Sequence, residues 1–130
     1  SKMDAPTDWV KVENKKYKYS LSYPKQWVGA LTGNDKNAVQ HYVERHLSNK
    51  VNLRLSIYKN YEIPANIKPT KVDNTTFYLI QDEENIKTAA TKHNDLIYVI
   101  EFKQNTYFAD SVQYKGTLFN ILKKIQFFQK

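Results

Sequence analysis

Metal binding, nucleophilic attack and acid–base catalysis each need particular side chains at particular spacings. The histidines are His41, His46 and His93. His41 and His46 are five residues apart, so on a strand they face opposite sides, and neither H-x-x-x-H nor H-E-x-x-H occurs. The absence of cysteine removes thiolate nucleophiles, disulfides, Fe–S clusters and cysteine zinc sites together. Ser20, Ser22, Ser48, Ser56 and Ser111 are present, but none lies in G-x-S-x-G or S-x-x-K. Asp82, Glu83 and Glu84 are adjacent and read as a charged turn; glycosidase carboxylates face each other across a cleft. The glycines are Gly29, Gly33 and Gly116, so no G-x-G-x-x-G or Walker loop can be written. The reading is a protein that is not an enzyme, with no catalytic, cofactor-binding or metal-ligating residues and no cofactor.

The basic residues raise the question of polyanion binding. The formal net charge is +7, from 20 Lys+Arg against 13 Asp+Glu. Only Arg45 and Arg54 are arginines, whereas specific nucleic-acid readers rely on Arg for bidentate contacts. A lysine-rich surface suits solubility or loose attraction to a polyanion. Tyr17-Lys18-Tyr19, with Lys11, Lys15 and Lys16 nearby, resembles a stacking platform for single strands. On a strand, however, tyrosine and lysine would point to opposite faces. The tyrosines then read as core and the lysines as solvent-facing.

These residues need elements to position them, and a chain of 130 residues is the size of one domain. No apolar run approaches the ~20 residues that span a bilayer. Residues 1–7 read as a flexible arm and 8–130 as a single domain. Strands are expected at Asp8–Val12, Tyr17–Tyr23, Ala38–Arg45, Val51–Tyr58, Phe77–Ile80, Ile86–Thr91 and Leu96–Lys103, from period-two alternation. Pro24 ends the second, and Trp27 is expected on a short helical turn that plugs the core. Gly29–Asn37 reads as a loop, and Lys59–Asn74, with Pro64 and Pro69, as a long mobile connection. The strand at Leu96 is apolar on both faces, so something must cover its second face. The expected cover is a C-terminal helix over Asp110–Lys124, where Tyr114, Leu118, Ile121, Leu122 and Ile125 recur at helical spacing and Phe119 widens the stripe. A short strand over Ile125–Phe128 is expected to follow. The fold class is therefore α+β: a central, mainly antiparallel sheet of six or seven strands with helices packed on its faces. Trp27, Tyr19, Leu21, Leu53, Leu55, Ile57, Tyr98, Ile100, Leu118 and Leu122 are expected in the core.

The segment Tyr17-Lys18-Tyr19-Ser20-Leu21-Ser22-Tyr23-Pro24-Lys25-Gln26-Trp27 resembles the opening pattern Y-x-(F/I)-x-(Y/F)-P-x-x-W of PsbP-like domains. Tyr17, Leu21, Tyr23, Pro24 and Trp27 occupy the matching positions. Phe119-Asn120-Ile121-Leu122 leading into Ile125-Gln126-Phe127-Phe128 resembles the family's ending, with Lys124 where a small residue is usual. The family includes photosystem II extrinsic proteins and many small bacterial lipoproteins. The likeness covers Trp9 to Phe128 and rests on core-packing positions. It implies a PsbP-like sandwich and a non-enzymatic accessory or binding role at a membrane surface. No residue matches a functional site for photosynthesis.

The resemblance, the start at Ser1 and the Pro-containing polar arm together lead to an expected function. The chain would be an extracytoplasmic, monomeric accessory or binding domain of a membrane-anchored Gram-positive lipoprotein, held by a lipidated cysteine upstream. Its partners would be a protein and an anionic membrane surface or wall polymer. The alternatives are an intracellular protein-binding adaptor, using the Lys59–Asn74 connection or a sheet edge, and a weak nucleic-acid-binding module.

Overall fold

The computed structural model describes residues 8–33, 39–47, 50–83, 85–105 and 116–128. Along the chain run β1 (Trp9–Asn14), β2 (Tyr19–Pro24), β3 (Val28–Gly33), β4 (Val39–Leu47), β5 (Val51–Tyr58), β6 (Pro69–Val72), β7 (Thr75–Asp82), β8 (Ile86–His93), β9 (Leu96–Gln104), α1 (Thr117–Lys124) and β10 (Gln126–Phe127). The strands form two antiparallel sheets. A three-stranded sheet has the order β1-β2-β10, and a seven-stranded sheet the order β3-β4-β5-β9-β8-β7-β6.

Local chemistry sets the hairpins. The β1–β2 turn spans Lys15 to Lys18, where the Asn14 side-chain oxygen accepts the Tyr17 backbone N–H at 2.9 Å and Lys18 takes φ 59°. Asx side chains favour such turns because they copy a backbone hydrogen bond. Asn94 and Asp95, at φ 52° and 64°, connect His93 to Leu96. Asn and Asp tolerate the left-handed conformation that two-residue hairpins require.

The two sheets pack face to face through the alternate residues of each strand. Tyr19, Leu21 and Tyr23 of β2 meet Leu53, Leu55 and Ile57 of β5 and Tyr98, Ile100 and Phe102 of β9 in one core. Tyr19 and Tyr98 meet edge-on, with ring centroids 6.0 Å apart. The Tyr98 hydroxyl donates to the Tyr17 backbone carbonyl at 2.8 Å, which ties the central strand of the large sheet to the turn of the small one. At the other end Trp27 stacks on Phe102 at 5.8 Å and closes the core.

All ten residues expected in the core are buried. The fold class differs from the expectation. The molecule is mostly β, in two sheets, and α1 is the one helix among the described residues. The sandwich is sheet on sheet, not helices on the faces of a central sheet. Physically, β1, β2 and β10 pair with one another and bury the inner face of the large sheet themselves. The helix is short: Gly116 sits just before it without a side-chain cap, and residues 110–115 of the expected helix lie outside the described residues. Leu118, Ile121 and Leu122 are buried beside β2, while Phe119 is 55% exposed and not part of the apolar stripe.

The second face of β9 is not covered by that helix. Tyr61, in the connection after β5, lies against Tyr58 with ring centroids 4.8 Å apart. Its hydroxyl is raised above its usual pKa, first by burial and then by Tyr58 and the Glu101 carboxylate. The connection therefore runs over the outer face of β5 and β9, where Ser56, Val99 and Ala90 form a buried floor.

Two strands occupy segments expected to be loops. In β3 the register shifts between Val28 and Leu31, and Gly29 takes φ +84° there, a bulge that breaks the alternation on which strand reading depends. In β6 Pro69 is tolerated because the strand lies at the edge and pairs only with β7. Trp27 follows a turn, with its N–H on the Pro24 carbonyl at 3.0 Å, and is not helical.

Candidate binding clefts

Tyr17, Tyr19, Tyr98, His41 and His93 collect at one end of the sandwich. His41 Nε2 lies 3.2 Å from the Tyr19 hydroxyl and 3.3 Å from Asn14 Nδ2. An amide nitrogen only donates, so Nε2 accepts and the ring is neutral with its proton on Nδ1. Tyr17 stacks on the same ring at 5.1 Å. Burial, with Lys16 second, lowers the pKa of His41, in keeping with a neutral ring. Burial also pushes Tyr98 up to about 12 and Tyr19 higher still. Both phenols therefore stay protonated at neutral pH. This network joins the two sheets.

Beside it opens the first cleft, of about 810 Å³. It lies where the narrow sheet ends at β10 while the wide sheet continues through β8 to β6. Phe127, Phe128 and Ile125 form its apolar wall, Asp73, Asn74 and Thr75 its opposite rim, and Thr91 and His93 line β8, with Lys92 and Lys123 adding positive charge. The His93 ring rests 4.5 Å from the Phe127 ring, and its buried Nε2 has no hydrogen-bond partner among the described residues.

A second cleft, of about 570 Å³, is lined by His46, Lys50, Val51, Asn52, Asn85, Ile86, Lys103, Gln104 and Asn105. Strand pairing builds its floor: His46 pairs with Asn52, Asn52 with Lys103 and Lys103 with Ile86. Four strands thus place these residues in one row.

The structure does not bring the residues searched for chemistry into one site. His41 is in the inter-sheet network, His46 in the second cleft and His93 in the first. Among the described residues no group of three or more His, Asp or Glu could hold a metal ion. The Ser20 hydroxyl donates to Gln126 at 3.4 Å, and that of Ser56 accepts from Arg54 Nε at 3.0 Å. Asp82 pairs with Lys87 at 2.6 Å, and Glu83 accepts from Gln81 at 3.2 Å. Ser48, Glu84 and Ser111 lie outside the described residues. Lys16 sits 5.4 Å over the Tyr17 ring, so the Tyr–Lys alternation includes a local cation–π contact. Sequence reading missed both clefts because their walls come from segments far apart in the chain. The one available signal was the pair Phe127-Phe128 beyond the last helical turn.

No family model matches the sequence, and no curated protein matches it either. Among solved structures the chain is similar to that of cyanobacterial PsbP (CyanoP) from Synechocystis sp. PCC 6803. The two are 14% identical, with a TM-score of 0.57, and the match covers 92% of each chain. Nearly complete coverage of both chains at that score is a likeness of the whole fold, and the domain has the PsbP-like fold that its first and last motifs resemble.

Proposed function

We propose that this chain is a non-enzymatic accessory and binding domain of a membrane-anchored bacterial lipoprotein, facing outward from the cytoplasmic membrane, and that a protein partner docks in the first cleft. The observation that carries the reading is the composition of that cleft: an aromatic wall of Phe127 and Phe128 opposite hydroxyl, amide and lysine side chains. Recognition surfaces combine apolar anchors with a few convergent polar groups in this way. The PsbP-like fold supports an accessory role by analogy of fold, which by itself assigns no ligand. The basic surface supports attraction to anionic lipid or wall polymer, which salt would weaken.

A photo-crosslinker at Lys123, in the full-length protein expressed in a Gram-positive host, tests this. It should label one membrane-fraction protein, and Phe128→Ala should weaken capture roughly tenfold, as loss of an aromatic anchor does. Equal labelling from Lys11, which lies on the outer face of β1, would overturn the docking site. Recovery of the full-length protein in the cytosol would instead support the adaptor reading.

A further inference from the structure

We infer that the second cleft binds a phosphoryl group, independently of the partner proposed for the first. His46, Lys50 and Lys103 bring basic side chains to it, Asn52, Asn85 and Asn105 bring amides, and none of its described lining residues is acidic. In a concave site with protein walls such a set focuses positive potential. Lys ammonium and Asn amide N–H groups are hydrogen-bond donors suited to phosphoryl oxygens. Ile86, half-buried, adds an apolar residue to the same row.

Carboxylates also stand one row away from the cleft. The row next to His46, Asn52 and Lys103 on the same face holds Glu44, Arg54 and Glu101. Glu44 is paired with Arg54 at 3.3 Å, and Arg54 stands between Glu44 and Glu101 in that row.

One wall of the cleft is held in place by the backbone. The His46 ring occupies the space that a side chain at Gly29 would fill: a Cβ built there would lie 2.1 Å from His46 Cε1. Gly29 has φ +84°, which glycine adopts at little cost. The close approach seats the imidazole directly on the strand bulge. A ring held before ligand arrives loses less freedom on binding, and preorganisation of this kind raises affinity.

The test is a titration of the ¹⁵N-labelled protein with glycerol 3-phosphate at low salt, followed by backbone amide shifts, and a parallel titration with phosphatidylglycerol vesicles. A saturable shift of the Asn52, Lys103 and Asn105 amides is expected. The soluble arm reports a free phosphoryl ligand. If only the vesicles saturate the same amides, the phosphoryl group is that of a lipid headgroup. Lys103→Gln, an exposed position that leaves the core intact, should weaken binding roughly tenfold, the worth of one charge-assisted contact. His46→Gln should weaken it less while keeping a ring-sized donor. Lys92→Gln with Lys123→Gln removes more charge, but in the first cleft, and should leave affinity within twofold. Absence of saturation in both arms would overturn the inference. So would an equal loss in the first-cleft variant, which would reduce binding to bulk charge. Neither result bears on crosslinking from Lys123.

Discussion

His41 titrates in a setting that disfavours its charge, and that has a pH consequence. Its folded pKa lies below the usual 6.5 because of burial and Lys16. Above about 6.5 both folded and unfolded forms are neutral. As pH falls below that value the unfolded chain binds the proton first, so stability is lost until the folded pKa is passed. Urea midpoints measured between pH 7.5 and 5 should fall, and the slope should diminish in His41→Gln, which keeps a polar group but cannot titrate. An unchanged slope would place the acid sensitivity elsewhere. Gly29 is the second position where one residue type decides the local structure. Gly29→Ala would force a Cβ into the left-handed region and into the His46 ring. The backbone part alone costs roughly 1–2 kcal/mol. Denaturant melts of Gly29→Ala, His46→Ala and the double variant separate the two parts. Removing the ring should recover the steric share and leave the backbone share. Full recovery would mean that the positive φ carries no strain.

At the scale of elements, α1 illustrates how tertiary contacts rescue a weak helix. Eight residues are too few for stability in isolation, and the helix has no acidic residue in its first turn and no side-chain cap. Lys123 and Lys124 suit its C-terminal end, and Lys124 lies 5.1 Å over the Trp9 ring of β1. The remaining support is burial of Leu118, Ile121 and Leu122. Leu122, 4% exposed, packs in the same core cluster as Leu21 of β2. Leu122→Ala should cost about 2–5 kcal/mol by thermal or urea melting. A loss below about 1 kcal/mol would mean that the helix is dispensable to the core. Among the strands, β6 shows the opposite economy: Pro69 and Lys71 on a four-residue edge strand discourage pairing with another sheet.

For the molecule as a whole, the joint between the sheets is both apolar and polar. Tyr98 is fully buried, and its hydroxyl reaches across to the Tyr17 carbonyl at 2.8 Å. Tyr98→Phe keeps the ring and removes that bond, so it should cost about 0.5–1.5 kcal/mol, the net worth of one intramolecular hydrogen bond. The same phenol couples stability to alkaline pH. Its folded pKa of about 12 exceeds the unfolded value of about 10. The stabilisation is present in full below pH 10 and is lost as pH rises toward 12, because the unfolded chain gives up the proton first. Melting of the wild type should therefore shift down between pH 9.5 and 11.5 more than that of Tyr98→Phe. Parallel curves would show that Tyr98 does not report on the sheet–sheet joint.

The sequence alone marks the strands whose side chains alternate without interruption. Val51–Tyr58 and Leu96–Lys103 are legible because one face is continuously apolar and a shift of one residue would expose it. It also determined the core, from Tyr19 to Leu122, and the resemblance carried by Tyr17, Leu21, Tyr23, Pro24 and Trp27. Tyr17 kept its inward direction although it belongs to a turn, because Asn14 fixes that turn and His41 receives its ring. Val28–Gly33 and Pro69–Val72 are strands through tertiary pairing. A bulge glycine and an edge proline oppose local strand propensity, and pairing with β4 and β7 overrides them. Tertiary structure also decided the division into two sheets: β1, β2 and β10 cover the inner face of the large sheet, and the connection after β5, not the helix, lies over the outer face of β9. Periodicity reports which face of a segment is buried but not what buries it. The clefts were invisible for the same reason. His46, Asn52 and Lys103 share a row through cross-strand register alone, and that register is set by partners distant in the chain.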